Sequence, residues 1–176
     1  MIRSATLSDV PSIREIINGH AELGKMLFKN YAQLYEDVRD FAVFVDDGVV
    51  VGCVAVGIIW ADMAEVRSLA VEDAHRGRGI GKQLVQWCVD DARRLGIRKL
   101  MSLTYERGFF EKLGFAVVDK STLPLKVWSD CVRCPKNLNC DEIAMVLELT
   151  DVPVLEAPLA IPTPRGVSIP VLPEDD

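Results

Sequence analysis

Glu65-Val66-Arg67-Ser68-Leu69-Ala70-Val71, followed four residues later by Arg76-Gly77-Arg78-Gly79-Ile80-Gly81-Lys82, is the stretch from which the rest of the chain is read. Its first part carries strand-favouring residues. After Gly79, apolar residues recur at spacings of three and four, as Ile80, Leu84, Val85, Cys88, Val89, Ala92 and Leu95, and Gly96 closes the pattern. The stretch therefore predicts a strand over 63–72, a glycine loop, and a long amphipathic helix over 80–95. Glycines let a backbone approach a ligand closely and take positive φ, and a helix start offers unpaired N–H groups at the positive end of its dipole. Such a loop suits a pyrophosphate. Arg76, Arg78 and Lys82 add cationic side chains to it.

Upstream, Ile2 to Thr6 reads as a short strand, and Ser8-Asp9 with Pro11 starts a helix over about 9–18. Tyr31, Leu34, Tyr35 and Val38 predict a second helix over 31–39. Phe41 to Val45 and Val49 to Val56 flank Asp46-Asp47-Gly48, which is hairpin chemistry, and with the strand over 63–72 they form an antiparallel meander. Downstream, the pattern gives a strand over 100–104, a short helix over 106–113 ended by Gly114, and strands over 115–118 and 143–149. The order βααβββαβαββ is a mixed α/β (α+β) layer, expected to occupy residues 1–150. Residues 151–176 hold most of the nine prolines and end in Glu174-Asp175-Asp176, so they read as a proline-rich extended tail.

Composition narrows the partners. The 176 residues, 49% hydrophobic and 26% charged, fit one globular core. A net charge of -6 provides no diffuse basic field for nucleic acid, so any anion must be held locally. No stretch has signal-peptide character or the ~20 apolar residues of a membrane span, so a cytoplasmic protein without a membrane partner is expected. Of the five cysteines, Cys131, Cys134 and Cys140 lie in a Cys-x-x-Cys-x(5)-Cys run beside Asp141 and Glu142. That spacing suits zinc but lacks an evident fourth ligand, so packed thiols without metal are the expectation and zinc the alternative. His20 and His75 have no partner pattern and read as structural.

A glycine motif alone also serves as a tight strand-to-helix turn. A Walker loop would need a different glycine spacing before Lys82, and a dinucleotide fingerprint would follow the first strand of a parallel βαβ unit, not an antiparallel meander. In this context the chain resembles the GNAT acyltransferase superfamily. Glu65 to Val71 followed by Arg76 to Gly81 is similar to its Arg/Gln-x-x-Gly-x-Gly/Ala motif, and Phe109-Phe110-Glu111-Lys112-Leu113-Gly114-Phe115 to its second motif, so the resemblance covers roughly residues 2–149. It implies a GNAT-like, mostly antiparallel sheet with helices on both faces, and acetyl-CoA as cosubstrate. Arg76, Gly77, Arg78, Gly79, Ile80, Gly81 and Lys82 would hold the pyrophosphate, Leu69, Ala70 and Val71 would pair with the pantetheine arm, and Phe110 would lie beside the cofactor. More narrowly, Lys29-Asn30 ahead of Leu34-Tyr35, Trp60-Ala61-Asp62, Glu65 to Val71, and Leu103-Thr104-Tyr105-Glu106 resemble the short stand-alone amino-acid acetyltransferases that make N-acetylglutamate.

Acetyl transfer needs a neutral amine, whereas an α-amine with a pKa of about 8 is mostly protonated at pH 7. The resemblance makes Glu65 the base; by position alone it could equally be a surface strand carboxylate. A backbone N–H of Leu69-Ala70-Val71 could meet the oxyanion. Many relatives of this superfamily have a tyrosine where this chain has Phe110, which leaves Thr104, Tyr105 or Ser68 as hydroxyl donors, each also readable as structural. Two carboxylates on a glutamate acceptor call for cations, and Lys29, Arg67 and Arg107 are the candidates, Arg107 being equally a solvated helix charge. The expected function is acetyl-CoA-dependent acetylation of the α-amine of a small amino acid, with glutamate and arginine biosynthesis as the specific form. Another amine, a protein amine, and a non-catalytic acetyl-CoA-binding regulatory module are the alternatives, and a homodimer is compatible with all of them.

Overall fold

The computed structural model describes residues 1–123 and 140–154, so the tail from 155 onward, Cys131 and Cys134 lie outside the described residues. Helix α1 (Val10–Glu22) begins with an exchange of polar contacts. The Thr6 N–H and hydroxyl donate to Asp9 Oδ2 at 2.8 Å each, and Arg3 grips the same carboxylate with bonds of 2.7 and 2.8 Å. The helix predicted to end near residue 18 continues through Gly19 because its buried stripe, Val10, Ile13, Ile16 and Ile17, runs on to His20 and Ala21. Asn30 caps α2 (Tyr31–Glu36) by a reciprocal pair of bonds with Gln33 at 2.9 and 3.0 Å. The rest of the predicted second helix is a separate 3-10 turn, Val38–Asp40.

The remaining elements are β1 (Ile2–Ser4), β2 (Phe41–Asp46), β3 (Val49–Trp60), β4 (Met63–Val71), α3 (Ile80–Leu95), β5 (Lys99–Thr104), α4 (Arg107–Glu111), β6 (Ala116–Val117) and β7 (Ile143–Glu148). Their order is the predicted one. The sheet runs β1-β2-β3-β4-β5-β7-β6, and only β4 with β5 is parallel. Period-two alternation divides its side chains between two faces. Val54, Val56, Ala64, Val66 and Leu100 pack with Leu84, Val85 and Cys88 of α3 and with Phe110 and Phe115 around α4. Phe41, Val43, Cys53, Ala55 and Ala70 face Val10, Ile13 and Ile17 of α1 and Leu34 of α2. Helices thus cover both faces. No described helix is long and apolar enough to cross a membrane.

Candidate active site

The parallel pairing of β4 with β5 stops at Glu65 opposite Met101, although β4 continues to Val71 and β5 to Thr104. Past that pair the two strands diverge, which leaves the β5-facing edge of Val66–Val71 without ladder partners in β5. A bulge on the other side of β4 promotes the divergence. Ala55 pairs with Arg67 and Cys53 with Ala70, so three steps on β4 oppose two on β3. Ser68 absorbs the extra residue at φ 54, a left-handed conformation that disfavours a side chain by roughly 1–2 kcal/mol. The Cys53 thiol, which burial pushes up to about 12, donates to Ser68 O at 3.6 Å. Cys53 is therefore a packing residue, and Ser68 is held by its backbone.

The glycine loop lies at the C-terminal end of β4. Gly77 and Gly79 both have φ 76, and a Cβ at either would meet nothing within 4 Å, so open space fronts the loop. The α3 ladder starts with Gln83 N–H to Gly79 O at 3.2 Å, which leaves the preceding amides at the positive end of a sixteen-residue helix. Two of the three cations expected to serve this loop are tied to acids. Arg78 donates to Asp46 Oδ2 at 2.7 Å and holds that carboxyl below its ordinary pKa; Arg76 pairs with Asp73 at 2.9 Å. Lys82 makes no ion pair among the described residues.

Glu65 sits where the cleft opens, cross-strand from Gly57 on β3 and from Met101 on β5. Arg67 lies two residues on, and its guanidinium rests over Gly57, as shown by the 3.1 Å that would separate a Cβ there from Arg67 Cζ. Arg67 reaches Asp40 at 2.9 Å and Asp37 at 3.6 Å, and Lys29 Nζ reaches the same Asp37 oxygen at 3.8 Å. Burial pushes the Asp40 carboxyl above its ordinary pKa, while Arg67 opposes that shift. Two of the three cations picked out by the sequence, Lys29 and Arg67, thus share one carboxylate oxygen. Asn18 fixes Lys29 from α1, accepting from its N–H at 3.0 Å and donating to its carbonyl at 3.1 Å. Asn18, Asp37, Asp40 and Gly57 were not legible as site residues: a polar side chain on a helix or a glycine in a strand carries no local sign of a distant partner.

The other candidates are placed as follows. Thr104 is 8% exposed, and its hydroxyl oxygen accepts from Glu106 N–H at 2.9 Å, which leaves the hydroxyl proton for donation. Tyr105 commits its proton to Asp141 at 2.8 Å. Phe110 is 3% exposed and packs edge-on between Phe109 and Phe115, at 5.1 and 5.0 Å. It is Phe109 that approaches Gly81 of the loop. Arg107 is exposed and pairs with Glu111 at 2.7 Å along α4. The carbonyl of Cys140 accepts from Lys120 at 3.0 Å, and no group of three or more metal-binding side chains occurs among the described residues.

A meander, a divergent parallel pair and a glycine loop at a helix start together place the chain among known acetyltransferases, and residues 11–115 match the acetyltransferase (GNAT) family. The chain belongs to that family. This GNAT N-acetyltransferase is 39% identical to an uncharacterized N-acetyltransferase of Chlorobaculum tepidum, over 84% of its own length and 96% of the relative's. It is 36% identical to an amino-acid acetyltransferase of Mycobacterium tuberculosis over 76% of its length and 78% of that protein's. Its fold superposes with a TM-score of 0.77 on N-acetylglutamate synthase from Neisseria gonorrhoeae complexed with coenzyme A and N-acetylglutamate, at 28% identity. That match covers 85% of this chain and 35% of the synthase, so the chain spans about a third of the longer enzyme.

Proposed function

We propose that this acetyltransferase moves the acetyl group of acetyl-CoA onto the α-amine of an amino acid, with glutamate as the preferred acceptor and the cytoplasm as its place of work. The observation that carries the acceptor is the meeting of Lys29 and Arg67 at Asp37, with Arg67 two residues along β4 from Glu65. Two fixed cations next to a candidate base suit a substrate with two carboxylates and one amine. The relatives that act on amino acids support the same reading.

The chain's own groups account for each step. The amides at the start of α3, with Lys82, receive the pyrophosphate, and the open fronts of Gly77 and Gly79 admit it. The edge of Leu69-Ala70-Val71 that has no ladder partner in β5 offers strand-like hydrogen bonds to the pantetheine arm, and an N–H on the same edge stabilises the oxyanion. Glu65 takes the proton of the α-ammonium, directly or through water. The amine nitrogen then adds to the thioester carbon, and as the carbon–sulfur bond breaks the nitrogen's second proton passes to the departing sulfur, which leaves the amide and the CoA thiol. Thr104 donates a hydrogen bond to the departing thiolate, whose conjugate acid, with a pKa of about 8.5, needs no stronger help. The test is CoA release measured across a panel of free amino acids, a polyamine and a peptide. Glutamate should give the highest kcat/KM; stimulation by the polyamine or peptide with none by glutamate would remove the acceptor assignment and leave the family assignment standing.

A further inference from the structure

His20 carries no role in the chemistry above, yet it is 8% exposed at the end of α1 and touches the cofactor side of the molecule twice. Its Nε2 lies 3.1 Å from the carbonyl oxygen of Val71, the last residue of β4. Its Nδ1 lies 3.3 Å from Arg76 NH2, in the glycine loop. A carbonyl can only accept and a guanidinium can only donate, so both contacts are satisfied by one arrangement alone: a neutral imidazole with its proton on Nε2. The end of α1 anchors the His20 backbone, whose carbonyl accepts from both Leu23 N and Lys25 N, at 3.2 and 3.1 Å.

We propose that His20 is a positioning residue for acetyl-CoA, which orients Arg76 through Nδ1 and ties the loop to the end of β4 through Nε2. Arg76 has five N–H donors in a planar fork. Asp73 takes its Nε edge at 2.9 Å and His20 takes NH2, so the plane of the guanidinium is fixed by two partners that approach from different elements. The remaining donors are then presented in one orientation beside Gly77 and Gly79. Without His20, Arg76 pivots about Asp73, and its half-exposed side chain, at 49%, has room to do so. The inference rests on the assignment of the loop to the pyrophosphate.

The experiment is steady-state kinetics on the full chain with acetyl-CoA varied at saturating acceptor, joined to a double-mutant cycle. His20→Leu is expected to raise KM for acetyl-CoA about tenfold, the loss of one charge-assisted contact's worth of orientation, with kcat within about twofold. His20→Asn keeps an acceptor near the position of Nδ1 but no donor for Val71. It should restore KM to near the wild-type value while still lowering the thermal midpoint, and it serves as the readable variant where His20→Leu folds poorly. In an Arg76→Ala background, exchange of His20 for Leu should change KM less than twofold. The inference is overturned by a His20→Leu enzyme with unchanged KM, by an equal loss in His20→Leu and His20→Asn, or by an undiminished His20 effect after Arg76→Ala. An Arg76→Ala enzyme with wild-type KM removes the loop assignment as well.

Discussion

Gly57 offers a way to disturb the acceptor side without deleting a charge. It stands cross-strand from Glu65, and an added methyl would lie 3.1 Å from Arg67 Cζ, 3.2 Å from Nε and 3.3 Å from NH2. Non-bonded carbons rest about 3.5–4.0 Å apart, so Gly57→Ala must push the guanidinium away by roughly half an ångström. That distance is about the tolerance within which a binding group has to be held, and the same shift loosens the 2.9 Å bond to Asp40. A fall in kcat/KM for glutamate of roughly 3-fold to 30-fold, about 0.7–2 kcal/mol, is expected, against a larger loss for Arg67→Ala. KM for acetyl-CoA should stay the same, because the glycine loop is built on other elements. Gly57 is not among the positive-φ glycines, so alanine fits its backbone, and reduced freedom in the unfolded chain offsets part of any strain in the fold. The assay is CoA release with glutamate varied, alongside a thermal melt. A folded Gly57→Ala enzyme with wild-type glutamate dependence, when Arg67→Ala is impaired, would refute the claim that Arg67 acts from its place over Gly57.

Glu65→Gln should lower turnover roughly 100-fold with acetyl-CoA affinity preserved, and the deficit should shrink toward pH 10, where the amine deprotonates unaided; a pH-independent deficit counts against Glu65 as the base. Gly79→Asp puts a side chain at φ 76 and a negative charge before the α3 amides, so calorimetry should show most CoA affinity lost in a protein that still folds. Glutamate binding should draw Arg67 from Asp40, whose pKa burial already raises, so binding should take up protons and weaken as pH rises through the bound-state value. Calorimetry in two buffers of different ionisation enthalpy reads this, and no buffer dependence refutes it. The Arg3 guanidinium holds the Asp9 carboxyl well below its ordinary pKa, and Thr6 adds to that. This contribution is fully present above the unfolded value of about 3.9 and is lost as pH falls toward the folded one, so Asp9→Asn should cost about 2 kcal/mol at pH 7 and less at pH 2, as read by urea unfolding.

Local rules carried the element order. The α3 pattern and its Gly96 closure gave both ends of that helix, because period and left-handed cap, here φ 74, are properties of one contiguous stretch. The Asp46-Asp47-Gly48 turn gave the β2–β3 hairpin for the same reason, with Asp47 and Gly48 both at positive φ. What needed the third dimension was strand order and register. Nothing local says that β5 adds beside β4 in parallel, or that their pairing ends at Glu65 and Met101, and that ending creates the cleft. Lys29 and Arg67 were paired through a family resemblance, not by spacing, and their shared partner Asp37 was invisible to both routes. His20 lay beyond the predicted end of the first helix near residue 18, so its place on the buried stripe, where both ring nitrogens need partners, came into view only with the helix running on through Gly19.

The acids in the Lys29–Arg67 cluster bear on how selectivity would arise on the proposed reading. Two bare cations standing together at 17% and 24% side-chain exposure would repel each other and lose hydration, and Asp37, between them, offsets both effects. Asp40 does the same for Arg67 alone. An acceptor carboxylate therefore enters by exchange, replacing an ion pair that already exists, so the net electrostatic gain is small even though each contact is strong. Discrimination then depends on whether the newcomer reproduces the geometry of the carboxylate it displaces. Glutamine can approach the same cations but brings a neutral amide, which cannot replace the lost ion pair. Rejection of the near-isostere thus follows from the acids that hold the cations as much as from the cations themselves.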